Sequence, residues 1–352
     1  MSKEKRGRGG PVLAIHERPG SFSDQWIACC EEKGIPCRRV DCYSGGILSR
    51  LEGTDGLMWH WQLIDEKAVL FARQLAAALD TAGIPMFPDF RTSWHYDDKL
   101  GQKYLFEAIG APLVPVHVFY DRAAALEWAG RAGYPKVFKL RSGAASVNVR
   151  LVSSARQAKA LIRRAFGRGI PLYHRPGYVK DRLRAFRGGP SGKSLLLLLK
   201  SLVRLFVPTK LERQGGRHRG YVYFQDFIPG LDCDYRIVIV GEKGFAMRRL
   251  VRTGDFRASG SEKKSFDPSD FDRRLIPCAF ETAERLGLQS AAFDMVMQGG
   301  EAKIIEVSYA FATRSFPGYW TRGGEWVAGD ISPQEEMLKQ FIEEIENAQA
   351  AT

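Results

Sequence analysis

The chain has 352 residues, 45% of them hydrophobic and 26% charged, with a formal charge of +12. Its length exceeds one ordinary domain and its composition is that of a folded soluble protein, which excludes disordered and collagen-like classes and predicts two or three structural units. Six cysteines with no CxxC pair and no histidine at ligand spacing argue against a zinc site or a disulfide framework.

Residues 11–93 alternate short apolar runs (PVLAI, PCRRVDC, GLMWHW, IPMFPD) with helical patterns (SDQWIACCEEKG, EKAVLFARQLAAALDTAG). This βαβ signature predicts a parallel sheet in an N-terminal α/β domain over 1–93. Trp59 and Trp61 stand at the expected C-terminal edge of that sheet, where they either line a ligand pocket or pack the core. A second unit is expected over 94–170: the helical DDKLGQKYLFEAIG, the extended PLVPVHVFY, the helix AAALEWAGRAG, the strand YPKVFKL, the loop RSGAAS, the strand VNVRLV and a helix over 155–166. Residues 171–220 interrupt this alternation with Pro and Gly clusters, a leucine run and many basic residues, and read as an insertion. Over 221–352, YVYFQDFI, YRIVIVG, FAMRRLV, FDMVMQ and AKIIEVSY predict a mostly antiparallel sheet, with a helix near 270–287 and a terminal amphipathic helix EEMLKQFIEEIENA.

Several of these elements carry chemistry. Lys139 ends the strand VFKL just before Ser142, Gly143 and Ser146, a small-residue loop whose amides can approach phosphate oxygens while the lysine supplies a point charge. A solvated lysine before an ordinary hairpin is the plain alternative. Lys99 opens a helix, where a surface role is equally open. In QDFIPGLDCDYRIVIVG, Asp234 and Arg236 point to one face because they are two apart on a strand. Arg248, Arg249, Arg252 and Arg257 follow in MRRLVRTGDFRASGS. Such a crowd of arginines either binds anions that offset its repulsion or forms an exposed cationic sheet face. FDMVMQ and AKIIEVSY, joined by the turn GGE, carry one acid each, Asp294 and Glu306. Carboxylates inside apolar strands need partners, and hard oxygen ligands are what Mg²⁺ takes beside a nucleotide; acids matched to the arginines are the alternative. GGPSGKS at 188–194 is no phosphate-binding P-loop, since Arg187 stands where a glycine is needed and no apolar strand precedes it.

This order of motifs resembles the ATP-grasp superfamily, and within it the branch of the ribosomal-protein glutamate ligase and the bacterial glutathione synthetases, from Trp94 to about Gly318. The resemblance implies an ATP-grasp fold of α/β and α+β parts, with a pre-ATP-grasp βαβ domain followed by two lobes, 94–170 and 221–352, that hold the nucleotide between them. It implies that Lys99, Lys139, Ser142, Gly143 and Ser146 contact ATP phosphates. Gln225, Asp226, Phe227 and Ile228 would form the hinge that holds adenine, with Asp234 also among the nucleotide-binding residues. Arg236, Arg249 and Arg257 would face the acyl phosphate, and Asp294, Glu306 and Ser308 would bind Mg²⁺, with Mn²⁺ as a substitute. The family usually has asparagine at the positions of Ser308 and Ser259, and RSGAAS has fewer glycines than is common. The implied activity is that of a carboxylate–amine ligase: ATP phosphorylates a small-molecule or glycan-linked carboxylate, and an amine displaces the phosphate. An ATP-binding scaffold of weak activity is the alternative that the two serines leave open.

Within the insertion, SLLLLLKSLVRLF at 194–206 is too short to span a bilayer, which takes about 20 residues, but suits an interfacial helix. Between residues 175 and 219 stand twelve lysines and arginines against two acids, most of the chain's net charge. The expected partner is an anionic membrane surface or a lipid-linked anionic substrate; the alternative is that the leucines pack onto the protein as an ordinary helix or form a homo-oligomer contact. Nucleic acid is not expected, because no aromatic stacking positions lie among the basic residues. The start MSKEKRGRGG is followed only by PVLAI, which is no secretory signal, so the expected location is the cytoplasm, peripheral at the inner face of the membrane.

Overall fold

The computed structural model describes residues 10–63, 65–143, 148–172, 179, 182–183, 186–187, 190–203, 216–251, 256–257, 263–312 and 315–351. The chain forms two compact units, one of residues 1–96, 235–248 and 265–352, the other of 97–234 and 249–264.

The first unit opens with the expected parallel sheet, β1 (Leu13–His16), β2 (Cys37–Val40), β3 (Gly56–Met58) and β4 (Met86–Phe87), in the order β2-β1-β3-β4. Helix Phe22–Lys33 starts at Ser21, whose side chain accepts from the Ser23 N–H, and ends at Gly34 in the left-handed region with φ 65°. Helix Glu66–Thr81 is capped by Asp65. The GLMWHW strand is shorter than its apolar run suggests: it ends at Met58, and Trp59, His60 and Trp61 follow it.

The second unit is built on β5 (Val116–Phe119), β6 (Lys136–Lys139) and β7 (Arg150–Val152), into which β10 (Val222–Asp226) inserts antiparallel to give the order β5-β10-β6-β7. Helices Arg122–Arg131 and Ala155–Phe166 cover one face, burying Ala125, Ala129, Ala158 and Ile162 against Phe138 and Phe224. The insertion begins and ends in a two-residue ladder between β8 (Ile170–Pro171) and β9 (Arg217–His218), and contains the helix Gly192–Val203.

Strands β11 (Cys233–Val240), β12 (Lys243–Leu250), β13 (Lys264–Ser265), β14 (Ser290–Gln298), β15 (Glu301–Ser308), β16 (Phe316–Thr321) and β17 (Trp326–Ile331) form the antiparallel sheet, ordered β15-β14-β11-β12-β16-β17 with β13 on β12. The hairpin β16–β17 is absent from the reading of the sequence; its proline and glycines, Pro317, Gly318 and Gly329, disguise the alternation.

The division of the chain also departs from the sequence reading. Residues 1–93 do not stand as a domain of their own, because Leu13, Ile15, Phe22 and Trp26 share one core with Val238, Phe245, Met337 and Phe341. Helix Pro333–Ala350 lies so near β3 that a Cβ on Gly56 would meet the Phe341 ring at 2.7 Å. Likewise 221–234 belong with the second unit, since β10 is a central strand of its sheet.

Candidate functional site

In the second unit, Tyr223 stands opposite Lys139 and Gln225 opposite Val137 across the β10–β6 ladder. Strand alternation therefore puts these four side chains on one face and Phe138 and Phe224 on the other. The phenylalanine face is the helix-packed core. On the other face Lys139 and Gln225 are 6% and 3% exposed, and Gln225 Nε2 has no hydrogen-bond partner among the described residues. An unmet buried amide of this kind costs about 1–3 kcal/mol unless something supplies an acceptor.

Lys99 reaches the loop that follows Lys139. Its Nζ donates to the Gly143 carbonyl at 3.2 Å and lies 3.5 Å from Asp97, while the Gly143 N–H donates to the Asp97 carboxylate at 2.8 Å. Asp98 caps helix Lys99–Ala108 and also receives the Arg141 guanidinium at 2.5 Å. Ser142 Oγ lies 3.4 Å from His218 Nε2, whose ring is held by Tyr221 at 2.7 Å. Burial, with the charges of Arg141 and Lys99 adding to it, pushes the His218 pKa down, so this imidazole is neutral at pH 7. Asp97, Asp98, Arg141 and His218 were not singled out in the sequence. The first two had a legible signal, the aspartates before a helix start; His218 had none. Ser146, Arg252 and Ser259 lie outside the described residues.

The hinge-like segment divides at its second residue. Gln225 and Asp226 are held in the ladders of β10, and the Asp226 N–H donates to the Pro115 carbonyl at 2.9 Å, whereas Phe227 and Ile228 lie past the strand. The Asp226 side chain accepts from Lys136 at 2.6 Å and pairs with His117 at 2.9 Å. Burial pushes its carboxyl up, but these two hydrogen bonds more than offset that and hold it below the ordinary carboxylate range. Arg249, 4% exposed, grips Asp234 with two parallel bonds of 2.6 and 2.8 Å, and Arg257 is half-buried.

In the first unit, Arg236, Asp294 and Glu306 occupy directly opposed positions on β11, β14 and β15. Arg236 makes a two-pronged contact with Asp294 at 2.8 and 3.0 Å. The ladder shifts register just after Asp294, an irregularity of the sort that re-aims neighbouring side chains. Ser308 is engaged in its own turn, donating to the Ala310 carbonyl at 2.7 Å and accepting from the Ala310 N–H at 3.1 Å. Trp59 and Trp61 are 0% and 1% exposed, packed with Tyr309, Leu57 and Met86, which makes them core and removes the pocket reading.

One of these groupings bears on a cofactor. A carboxylate oxygen that accepts one guanidinium hydrogen keeps a second lone pair, so Asp294 together with Glu306 suits a hard divalent cation. No cluster of three or more His, Cys, Asp or Glu able to hold a metal occurs among the described residues. Such a pair would leave most of the coordination shell to phosphate oxygens and water, which is the habit of Mg²⁺.

The structure is similar to D-cycloserine synthetase DcsG (TM-score 0.56, 14% identity, 95% of this chain and 99% of that one). It is also similar to the D-alanine–D-alanine ligase of Bacillus anthracis (TM-score 0.53, 13% identity, 97% of this chain and 98% of that one). A third likeness is to N5-carboxyaminoimidazole ribonucleotide synthetase PurK (TM-score 0.54, 12% identity, 86% of this chain and 71% of that one). No family model and no curated protein matches the sequence. At these identities the likeness is one of fold, and the fold of the chain is ATP-grasp.

Proposed function

We propose that the chain is an ATP-dependent carboxylate–amine ligase that works through an acyl phosphate. The observation that carries the reading is the pairing of a buried lysine, Lys139, with the unmet amide of Gln225 on one face of the second unit's sheet. A nucleotide would supply the unmet amide with a polar base edge and would bring its phosphates to the lysine's side of the same face. Lys99, Ser142 and Gly143 would bind phosphate oxygens, and Phe227 and Ile228 would meet adenine through their backbone. Asp294 and Glu306 would hold Mg²⁺, which when bound neutralises charge on the transferring phosphoryl group. Arg236, Arg249 and Arg257 would orient the substrate carboxylate and stabilise the developing charge. No side-chain nucleophile is needed, because the carboxylate attacks the γ-phosphate and the amine then attacks the acyl carbon.

The test is incubation of the protein with ATP and mixtures of carboxylates and amines, reading phosphate release and product mass. Amine-dependent phosphate release with a new amide mass is the expected result, and Glu306→Gln is expected to abolish it, by about a hundredfold or more, while the fold is kept. Nucleotide binding without any carboxylate-dependent turnover would replace the ligase with an ATP-binding scaffold. One observation favours that second reading: the Ser308 hydroxyl is already used by Ala310, where a metal ligand was expected.

A further inference from the structure

The helix Gly192–Val203 turns one leucine-rich side to solvent. Leu195, Leu196, Leu199, Leu202 and Val203 are 43, 52, 51, 42 and 62% exposed, five of the twelve large hydrophobic side chains exposed among the described residues. At about 100° per residue these five fall within an arc of about 120°. Ser201, 1% exposed, and the half-buried Ser194, Leu197 and Leu198 lie on the opposite side. The helix is therefore seated on its serine side, with a continuous apolar stripe left over.

The segment that carries this stripe is strongly basic. The helix contains no acid, and Lys200 is exposed one turn from both Leu196 and Val203. The segment from 175 to 219 holds twelve lysines and arginines against two acids, a balance of +10. Its ends are fastened to the second unit by the β8–β9 ladder and by Arg217 Nε donating to the Arg168 carbonyl at 2.7 Å. The stem is close-packed: a Cβ on Gly169, at φ +77°, would meet the Arg219 side chain at 2.3 Å and the His218 carbonyl at 3.0 Å.

We infer that this helix docks the protein on an anionic lipid bilayer, its leucine stripe set into the headgroup level and the basic residues of its segment against the headgroups. An exposed apolar stripe needs an occupant, and the charge decides which. Two copies of a +10 segment repel one another, whereas anionic lipid neutralises each. Twelve residues of helix measure about 18 Å, so the segment lies in the surface and does not cross it. No helix among the described residues is long and apolar enough to cross a membrane. The inference stands apart from the proposed ligase activity.

The experiment is co-sedimentation of the full chain with phosphatidylcholine vesicles, with and without about 30% phosphatidylserine, at low and high salt. The protein is expected to pellet with the anionic vesicles at low salt, to be released by high salt, and to stay in solution with phosphatidylcholine alone. Leu195→Glu/Leu199→Glu/Leu202→Glu changes only exposed positions and is expected to weaken partitioning more than about tenfold. Lys200→Ala is expected to weaken it about fivefold with circular dichroism unchanged. Equal pelleting of the wild type and the triple variant would overturn the inference, as would no pelleting on anionic vesicles. Should the wild type sediment as a dimer that the triple variant dissociates, without vesicle binding, a second copy is the occupant and the lipid assignment fails.

Discussion

The two faces of the sheet β5-β10-β6-β7 carry polar groups one residue apart and treat them in opposite ways. On the helix-packed face Asp226 is surrounded by its own partners, Lys136 at 2.6 Å and His117 at 2.9 Å, and this set of hydrogen bonds is complete without any ligand. On the other face Gln225 is more deeply buried and its amide nitrogen has nothing to donate to among the described residues. Burial of a polar group is therefore not by itself a mark of function. The mark is burial without the partners that would make it cheap.

The comparison breaks most visibly at Lys139. Lys139→Met keeps the length of the chain on the same face and removes its charge, and nucleotide binding measured by fluorescence titration is expected to weaken by ~2 kcal/mol, about thirtyfold. Unchanged affinity would make the lysine a buried structural cation like Lys136. The neighbouring change Gln225→Leu has two expected effects of opposite sign. Without nucleotide the variant gains about 1 kcal/mol of stability in chemical denaturation, because the unmet amide is gone, while nucleotide affinity falls by about fivefold. A loss of stability instead would show that the amide is satisfied within the protein.

Asp226→Asn should do the reverse, costing about 1 kcal/mol of stability and leaving nucleotide affinity unchanged. The smallest expected effect is on the acid limb of stability. A carboxyl whose folded pKa lies below its unfolded value of about 3.9 stabilises fully above that value and stops doing so as pH falls through the folded one. Wild-type protein should thus lose this contribution only below about pH 4, and the difference between wild type and Asp226→Asn should vanish there. A difference that persists in acid would mean that the pair is held by packing rather than charge.

The extents of these elements and their local chemistry were legible because they depend on neighbours in the chain. Strand alternation placed Lys139 at the end of β6, and the turn Gly299–Gly300, both at positive φ, brings Asp294 opposite Glu306 in a hairpin that GGE announces. The helix Ala155–Phe166 has the bounds its periodicity predicts, under the cap Ser154. The basic excursion, with a helix in its leucine run, could be read from composition alone.

Contacts made across long stretches of chain belong to the tertiary structure. Asp226 meets His117 across 109 residues, and no local pattern marks either as the other's partner. Residues 1–96 join the C-terminal half because apolar side chains carry no label for which core they enter, and only packing decides it. For the same reason Trp59 and Trp61, equally suited to a pocket wall and a core, became core. Which leucines of the helix Gly192–Val203 face outward was equally undecided, since a run of five identical apolar residues has no preferred side until the rest of the protein covers one.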